Sequence, residues 1–191
     1  MTNLLLRTFV RNWDHPEDPQ VRASVGIFAG LVGIFCNLLL FGGKLAIGLL
    51  TASVSITADA MNNLSDATSS VVTMLGFRLA ERPADEEHPF GHARYEYLSG
   101  LAVAALILII GVELGKSSID KILHPAPVDF GWVTAAVLIG SILVKLWMSV
   151  FNTKLGNTIR SATLTATAAD SRNDVITTAA VLIAALIEHF T

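Results

Sequence analysis

Long apolar stretches separated by short polar segments dominate the chain. Five of them are long enough for a helix to cross a bilayer at a rise of about 1.5 Å per residue. We therefore predict membrane-spanning helices at about residues 25–50, 54–77, 98–114, 130–151 and 162–187. This pattern predicts an all-α membrane protein in which residues 25–191 form a transmembrane helix bundle. Residues 1–24 are predicted to be a cytoplasmic N-terminal segment.

The second and fifth predicted spans are more polar than the others, and each carries a pair of polar residues four positions apart. The pairs are Asn62 with Asp66 and Asp170 with Asp174. Four residues make about one helical turn, so each pair projects from one face of its helix. Because ionisable groups inside a bilayer are costly, they usually mark an ion or substrate pathway. We predict that the two pairs face each other and form an all-oxygen cage for a divalent cation.

The composition also indicates a membrane protein. The chain is 52% hydrophobic and 15% charged with a mean hydropathy of +0.58, whereas a soluble domain needs a more charged surface. The net charge of -3 gives no basis for a nucleic-acid partner. Cys36 is the only cysteine, which excludes a disulfide or a thiolate metal cluster within one chain. No apolar core with a small-residue cleavage site precedes Trp13, so we expect no cleavable signal peptide.

The distribution of arginine and lysine predicts the orientation of the bundle. Basic residues gather before span one, between spans two and three, and between spans four and five: Arg7, Arg11, Arg22, Arg78, Arg82, Arg94, Lys154 and Arg160. The positive-inside rule therefore places the N-terminus and the loop between spans two and three in the cytoplasm. This multi-pass topology fits a bacterial inner membrane, and any plasma or organelle membrane would satisfy the same physics.

The loop between spans two and three contains a second group of metal-ligating residue types. Asp85, His88 and His92 offer a carboxylate and two imidazoles within eight residues. Imidazole together with carboxylate suits zinc or another first-row metal. An acidic loop with two histidines can equally be a solvated surface, so these residues alone leave both interpretations open.

Three motifs together resemble the cation diffusion facilitator family of cation efflux transporters. They are Asp59–Asp66, His88–Glu96 and Asp170–Asp174, and they occur in the family's order from about Arg22 onward. The resemblance implies a homodimeric secondary active transporter, not an enzyme, that exports divalent metal in exchange for protons by alternating access. It also implies six spans and a cytoplasmic ferredoxin-like domain. The chain ends at Thr191, so we expect the sixth span and that domain to be absent from a truncated chain.

The resemblance also indicates which metal is transported. In zinc-transporting relatives one of the four intramembrane positions is typically histidine, most often the position of Asp170. Here the four residues offer only oxygen ligands, which suit harder ions such as manganese, and their pattern resembles the manganese branch of the family. We expect Mn²⁺ to be the transported ion, with Fe²⁺ or Zn²⁺ as alternatives, and no cofactor beyond it. In the family the loop of Asp85, His88 and His92 carries a second metal site.

Further expectations concern the ionisable residues inside the predicted spans. Three neighbouring carboxylates repel one another in a low-dielectric setting, so we expect the empty cluster to bind protons that metal displaces. Asp59 lies seven residues before Asp66 and is a candidate for the exit path, with a structural hydrogen-bonding role as the alternative. Lys44 and Lys145 either extend to the interface or pair internally.

Two other classes of protein would also place polar residues inside a membrane. In a purely structural membrane fragment these residues would hold helices together, and loss of Asp170 would lower stability alone. An intramembrane aspartyl protease would use one facing pair of aspartates for acid–base chemistry. The chain contains no Gly-x-Gly-Asp sequence of the kind expected for such a protease.

Overall fold

The structure, a computed structural model, describes residues 6, 8–10, 13, 15–51, 54–123 and 131–190. Within these residues the chain forms five long α-helices and no β-strand. They are α1 (Pro19–Leu50), α2 (Val54–Ala80), α3 (Arg94–Leu123), α4 (Trp132–Ile159) and α5 (Ala162–Phe190). The predicted all-α architecture and its five long helices are confirmed.

The helices extend beyond the predicted spans because polar residues continue them past the apolar part. The first helix begins at Pro19, where the Asp18 side chain accepts a hydrogen bond from the backbone N–H of Gln20 at 2.8 Å. An aspartate cap followed by proline at the first helical position is a strong helix start. The predicted start of the fourth span at residue 130 lies outside the described residues.

Within the part of the chain that the structure describes, three helices are long and apolar enough to cross a membrane: α1, the Arg94–Glu113 part of α3, and α4. The other two helices, α2 and α5, carry the polar pairs. Their polarity matches the prediction that the second and fifth spans are more polar than the others. Their own passage through the membrane stays a prediction, supported by lengths of 27 and 29 residues. The molecule is an integral membrane helix bundle.

Helix α1 packs closely and antiparallel against α2 because small residues line their contact. A Cβ atom added at Gly33 would lie 2.6 Å from the Ser70 hydroxyl, and one at Gly30 would lie 2.7 Å from the Met74 side chain. Small residues let two helix backbones approach within membranes, where lipid offers little hydrophobic drive for association. This contact holds the polar helix α2 against an apolar neighbour.

A tight turn sets α5 against α4 in a similar way. Arg160 ends α4 in the left-handed conformation, with φ 51°, and its N–H donates to the Gly156 carbonyl. Ser161 then caps α5, its hydroxyl accepting the N–H of Leu164 at 3.4 Å. The two helices therefore run antiparallel, and the second polar helix also lies against an apolar one.

The apolar core lies at the end of the bundle that the positive-inside rule assigns to the cytoplasm. It includes Val25, Phe77, Phe151, Ile159 and Leu164, all buried. Phe28 packs edge-on against Phe151 there, with ring centroids 6.1 Å apart. This packing fixes the depth of the helices, and hence of the polar residues further along them.

A partly buried ion pair joins three helices beside this core. The Arg22 guanidinium donates to both carboxylate oxygens of Glu96 on α3, at 2.9 and 2.8 Å, and also to the Ile159 carbonyl at the end of α4. Two-point contact of this kind fixes the orientation of both side chains. Thr163 on α5 donates to the Glu96 carbonyl at 3.1 Å. The start of α3 is thus anchored to the bundle. It follows directly after the loop that contains Asp85, His88 and His92, which is called the histidine loop below.

Candidate metal centre

The structure brings together the three aspartates of the two polar pairs. One carboxylate oxygen from each of Asp66, Asp170 and Asp174 lies within 4.8 Å of the others. Asp66 on α2 is buried, at 4% exposure, while the two aspartates of α5 are half-buried. The spacing of Asp170 and Asp174 places both on the face of α5 that meets α2. These three residues are called the intramembrane cluster below.

Asn62, the fourth predicted member, lies one helical turn before Asp66 on α2. Its side chain is half-buried. The four-residue spacing places it on the same face of α2 as Asp66, at the end of the cluster further from the predicted cytoplasmic side. Its role as a neutral oxygen ligand stays a prediction.

Lys145 is a member of the site whose place the sequence left open. Its ammonium nitrogen lies 2.5 Å from Asp66 Oδ2 and 2.6 Å from Asp174 Oδ2, and its side chain is 4% exposed. It stands near the middle of α4, too deep in an apolar helix for the side chain to reach water easily. That depth is a signal in the sequence that could have favoured an internal pair over an extended side chain, although the sequence prediction left both open.

Small hydroxyl side chains donate hydrogen bonds to backbone carbonyls around the intramembrane cluster. Ser149, one turn after Lys145, donates to the Ala168 carbonyl at 2.9 Å. This bond fixes α4 against α5 just before Asp170. On α2 the Ser70 hydroxyl donates to the Asp66 carbonyl at 3.0 Å. The first bond joins two helices of the site, the second lies within α2, and both satisfy polar atoms without extra charge.

A second intramembrane ion pair lies near the C-terminal end of α1 and the N-terminal end of α2. Lys44, which is buried, places its ammonium nitrogen 2.8 Å from Asp59 Oδ2. Asn63 donates to the Asp59 carbonyl at 2.8 Å. Lys44 therefore pairs internally, and this contact supports the structural role for Asp59. A part for Asp59 in an exit path stays a prediction.

The histidine loop forms a separate cluster outside the bundle. One ligand atom from each of Asp85, His88 and His92 lies within 4.8 Å of the others. His88 Nδ1 is 3.2 Å from Asp85 Oδ1, and His92 Nε2 is 3.4 Å from Asp85 Oδ2. Gly91 has a φ of 77°, a left-handed turn that brings the chain back toward Asp85. These residues are called the loop cluster below.

The loop cluster is arranged as ligands are in metal sites. His92 Nδ1 lies 3.0 Å from the Pro83 carbonyl, so an N–H there leaves Nε2 free to face the cluster. The backbone N–H of His88 donates to Asp85 Oδ1 at 2.6 Å. This bond lowers the pKa of Asp85 below its ordinary value, with a smaller contribution from the His88 side chain. The carboxylate therefore stays charged and can accept a cation.

The two clusters differ in the ions they fit. The intramembrane cluster offers carboxylate oxygens alone, from two different helices. Oxygen ligands suit Mg²⁺, Ca²⁺ and Mn²⁺. The loop cluster offers one carboxylate and two imidazoles, a donor set that suits zinc and other first-row metals.

Comparison with known proteins finds consistent similarities. Residues 30–191 match the model of the cation efflux transmembrane domain. The chain is 32% identical over 149 residues to the manganese efflux system protein MneS of Bacillus subtilis, covering 78% of this chain and 51% of that protein. It is 30% identical over 160 residues to an uncharacterized transporter of Methanocaldococcus jannaschii, covering 84% and 56% respectively. It is 35% identical over 147 residues to the magnetosome protein MamB of Paramagnetospirillum magneticum, covering 75% and 48%. The chain spans about half the length of the curated relatives it matches.

Proposed function

The chain belongs to the cation efflux family that its motifs resemble, and from this premise we propose that its intramembrane cluster carries a divalent metal ion across the membrane. One observation carries the proposal: carboxylate oxygens of Asp66, Asp170 and Asp174, from two different helices, lie within 4.8 Å of one another. Buried like charges are costly unless a cation compensates them. A site built from two helices can also open to either side when those helices shift.

We propose Mn²⁺ as the transported ion. The three carboxylates, with the amide of Asn62 as a predicted fourth ligand, offer oxygen alone. Manganese accepts such ligands readily, whereas zinc and copper favour imidazole and thiolate. The relative MneS is named a manganese efflux protein, which supports the same choice. Fe²⁺ and Zn²⁺ are the alternatives, and zinc competes because it binds most nitrogen, oxygen and sulfur sites more tightly than manganese.

Proton exchange is the proposed source of energy. A metal ion and protons compete for the same carboxylate oxygens, so binding of one expels the other. A cluster that alternates between the two faces of the membrane would then export metal and import protons. The transporter is accordingly a secondary active antiporter, and the N-terminus and the loop cluster face the cytoplasm of a bacterial inner membrane.

The loop cluster is proposed as a second metal site with a regulatory or delivery role. It lies in an exposed segment before α3 and so does not line a path through the bundle. Its mixed donor set favours a different ion from that of the intramembrane cluster. A homodimer is the proposed assembly in the membrane.

Transport in reconstituted vesicles tests the proposal. Vesicles containing the chain, with a metal-sensitive and a pH-sensitive dye, should show Mn²⁺ uptake accompanied by proton movement in the opposite direction. The Asp170→Ala, Asp174→Ala double variant should show neither, while Glu17→Gln, which alters an exposed carboxylate outside the helices, should retain both. Uptake without proton movement would refute antiport, and uptake by the double variant would refute the site.

A further inference from the structure

A buried lysine lies where a metal ion would have to bind. The Lys145 ammonium contacts Asp66 and Asp174 at 2.5 and 2.6 Å, so one cation already bridges carboxylates of α2 and α5. Both contacts use the Oδ2 oxygens of the two aspartates. A divalent ion bound to these carboxylates would lie within a few ångströms of the ammonium, where like charges in a low-dielectric setting repel strongly.

The contacts also show that Lys145 is not merely a neighbour of the cluster. Its side chain and that of Asp66 are both almost fully buried, so water cannot screen the pair. The ammonium adds one positive charge to a cluster of three carboxylates. A site without metal is therefore already partly compensated by the protein itself.

We propose that Lys145 is a tethered counter-cation, whose ammonium holds the place of the transported metal between Asp66 and Asp174 and must leave them before the metal binds. The inference rests on the proposed function, because it assumes that the intramembrane cluster is the transport site. It makes the lysine an internal competitor of the metal. Such a competitor lowers the apparent metal affinity in proportion to the fraction of time that it occupies the site.

The register of α1 against α2 indicates a second position that the Lys145 ammonium can occupy. Gly33 faces Ser70, and Lys44 pairs with Asp59. Because the two helices are antiparallel, a residue one turn after Gly33 on α1 lies at the same depth as a residue one turn before Ser70 on α2. Those steps reach Asn37 and Asp66.

Asn37 has a suitable acceptor at that depth. Its side chain is 2% exposed, and its Oδ1 atom has no hydrogen-bond partner among the described residues. A buried carbonyl oxygen without a partner is costly, and an arriving ammonium would satisfy it. Since α1 also contacts α4, which carries Lys145, a change of side-chain rotamer would carry the ammonium between the two positions. Asn37 is thus the proposed acceptor when metal occupies the cluster.

Manganese affinity measured on the purified full chain tests the role of Lys145. Lys145→Gln removes the charge but keeps a polar side chain, and it should bind Mn²⁺ about tenfold more tightly or better because the competitor is lost. Lys145→Arg keeps the charge and should retain the weaker affinity of the wild type. Lys44→Gln is the matched control, since it removes the other buried lysine, whose partner Asp59 is outside the cluster.

The outcomes separate this inference from the proposed function. If the wild type binds Mn²⁺ through Asp170 and Asp174 and Lys145→Gln binds no more tightly, the counter-cation is refuted while the transport site stands. If the aspartates are not needed for binding, the proposed function itself fails. Helix content and thermal unfolding of each variant show whether it folds.

A measurement on the wild type keeps the inference testable if Lys145→Gln does not fold. The ammonium of Lys145, observed by nuclear magnetic resonance with ¹⁵Nζ-labelled lysine, should shift when the diamagnetic ion Zn²⁺ fills the cluster. The Lys44 resonance should not. An unmoved Lys145 resonance at saturating metal would overturn the proposal.

A double-mutant cycle tests Asn37. Asn37→Leu should weaken Mn²⁺ binding several-fold when Lys145 is present, because the displaced ammonium loses its acceptor. The same substitution in the Lys145→Gln background should have little effect. Equal weakening in both backgrounds would show that Asn37 acts on the metal directly and would refute its role as acceptor.

Discussion

The intramembrane cluster and the loop cluster each bring three ligating side chains within 4.8 Å, but they are built in opposite ways. The loop cluster comes from eight consecutive residues, contains two imidazoles and is partly exposed. The intramembrane cluster joins helices far apart in the sequence, contains carboxylates alone and lies against a buried ammonium. A loop in water needs no counter-charge for its single carboxylate. Carboxylates in a bilayer do, and the chain supplies one from α4.

The largest effect is expected from Asp66→Ala. It removes the most buried carboxylate of the intramembrane cluster and should weaken Mn²⁺ binding by about a hundredfold or more, since a charged ligand is lost from a low-dielectric site. Lys145 still pairs with Asp174 in this variant. The free energy of unfolding should therefore fall by less than the roughly 3–5 kcal/mol typical of breaking a buried pair. Calorimetric titration with Mn²⁺ and chemical denaturation measure the two quantities.

The same variant should leave zinc binding at the loop cluster unchanged. Asp59→Ala, which breaks the Lys44 ion pair instead, serves as the control for loss of a membrane carboxylate. If both variants weaken Mn²⁺ binding equally, the distinction between the cluster and the second ion pair would be lost.

A smaller effect is expected at the loop cluster from His92→Ala. It removes a ligand whose Nδ1 lies against the Pro83 carbonyl, and it should lower zinc affinity by more than the roughly 10–100-fold typical of losing a partner that only orients a ligand. Manganese binding in the membrane should not change. His15→Ala, a histidine outside the loop, is the control. A parallel loss of manganese binding would mean that the two clusters share one ion.

The link between the two regions is tested by Glu96→Gln. Glu96 accepts both donors of Arg22 beside the start of α3, so loss of its charge should lower the free energy of unfolding by about 1.5–3 kcal/mol. Both metal affinities should stay within about twofold of the wild type. Denaturation beside Arg94→Gln, an exposed control, checks the first expectation; a large change in either affinity would show that the clusters are coupled through α3.

The smallest effect concerns the pH response of the loop. The hydrogen bond from the His88 backbone N–H lowers the pKa of Asp85. At pH values above the ordinary pKa of aspartate, the ionised carboxylate therefore stabilises the turn. That stabilisation is lost only as the pH falls through the lowered pKa. The amide resonance of His88 should therefore titrate below the ordinary aspartate range, and in Asp85→Asn this step should vanish. A midpoint at or above the ordinary value would contradict the hydrogen bond.

The sequence predicted the features that depend on local pattern. The length of the apolar stretches identified five helices, and the four-residue spacing placed Asp170 and Asp174 on one face. The loop cluster was predictable because its three members are close in the chain. Family resemblance then indicated the kind of protein, which the match over residues 30–191 confirms.

The pairing of charges across helices could not be predicted in the same way. Lys145 is 79 positions from Asp66, and Arg22 is 74 from Glu96, so both contacts depend on how the helices pack. The sequence left open whether Lys145 reaches the interface or pairs internally, and its depth in α4 does not identify a partner. Polar residues in a bilayer must find partners, yet which partner they find is set by helix register.

The most direct test of the intramembrane manganese site is electron paramagnetic resonance of Mn²⁺ with the purified chain, beside the Asp170→Ala, Asp174→Ala variant and with Zn²⁺ as competitor. The wild type should bind the ion and resist equimolar zinc, and the double variant should leave it free in solution. Binding that survives the double variant would move the metal to the loop cluster. Loss of binding to equimolar zinc would contradict the choice of manganese.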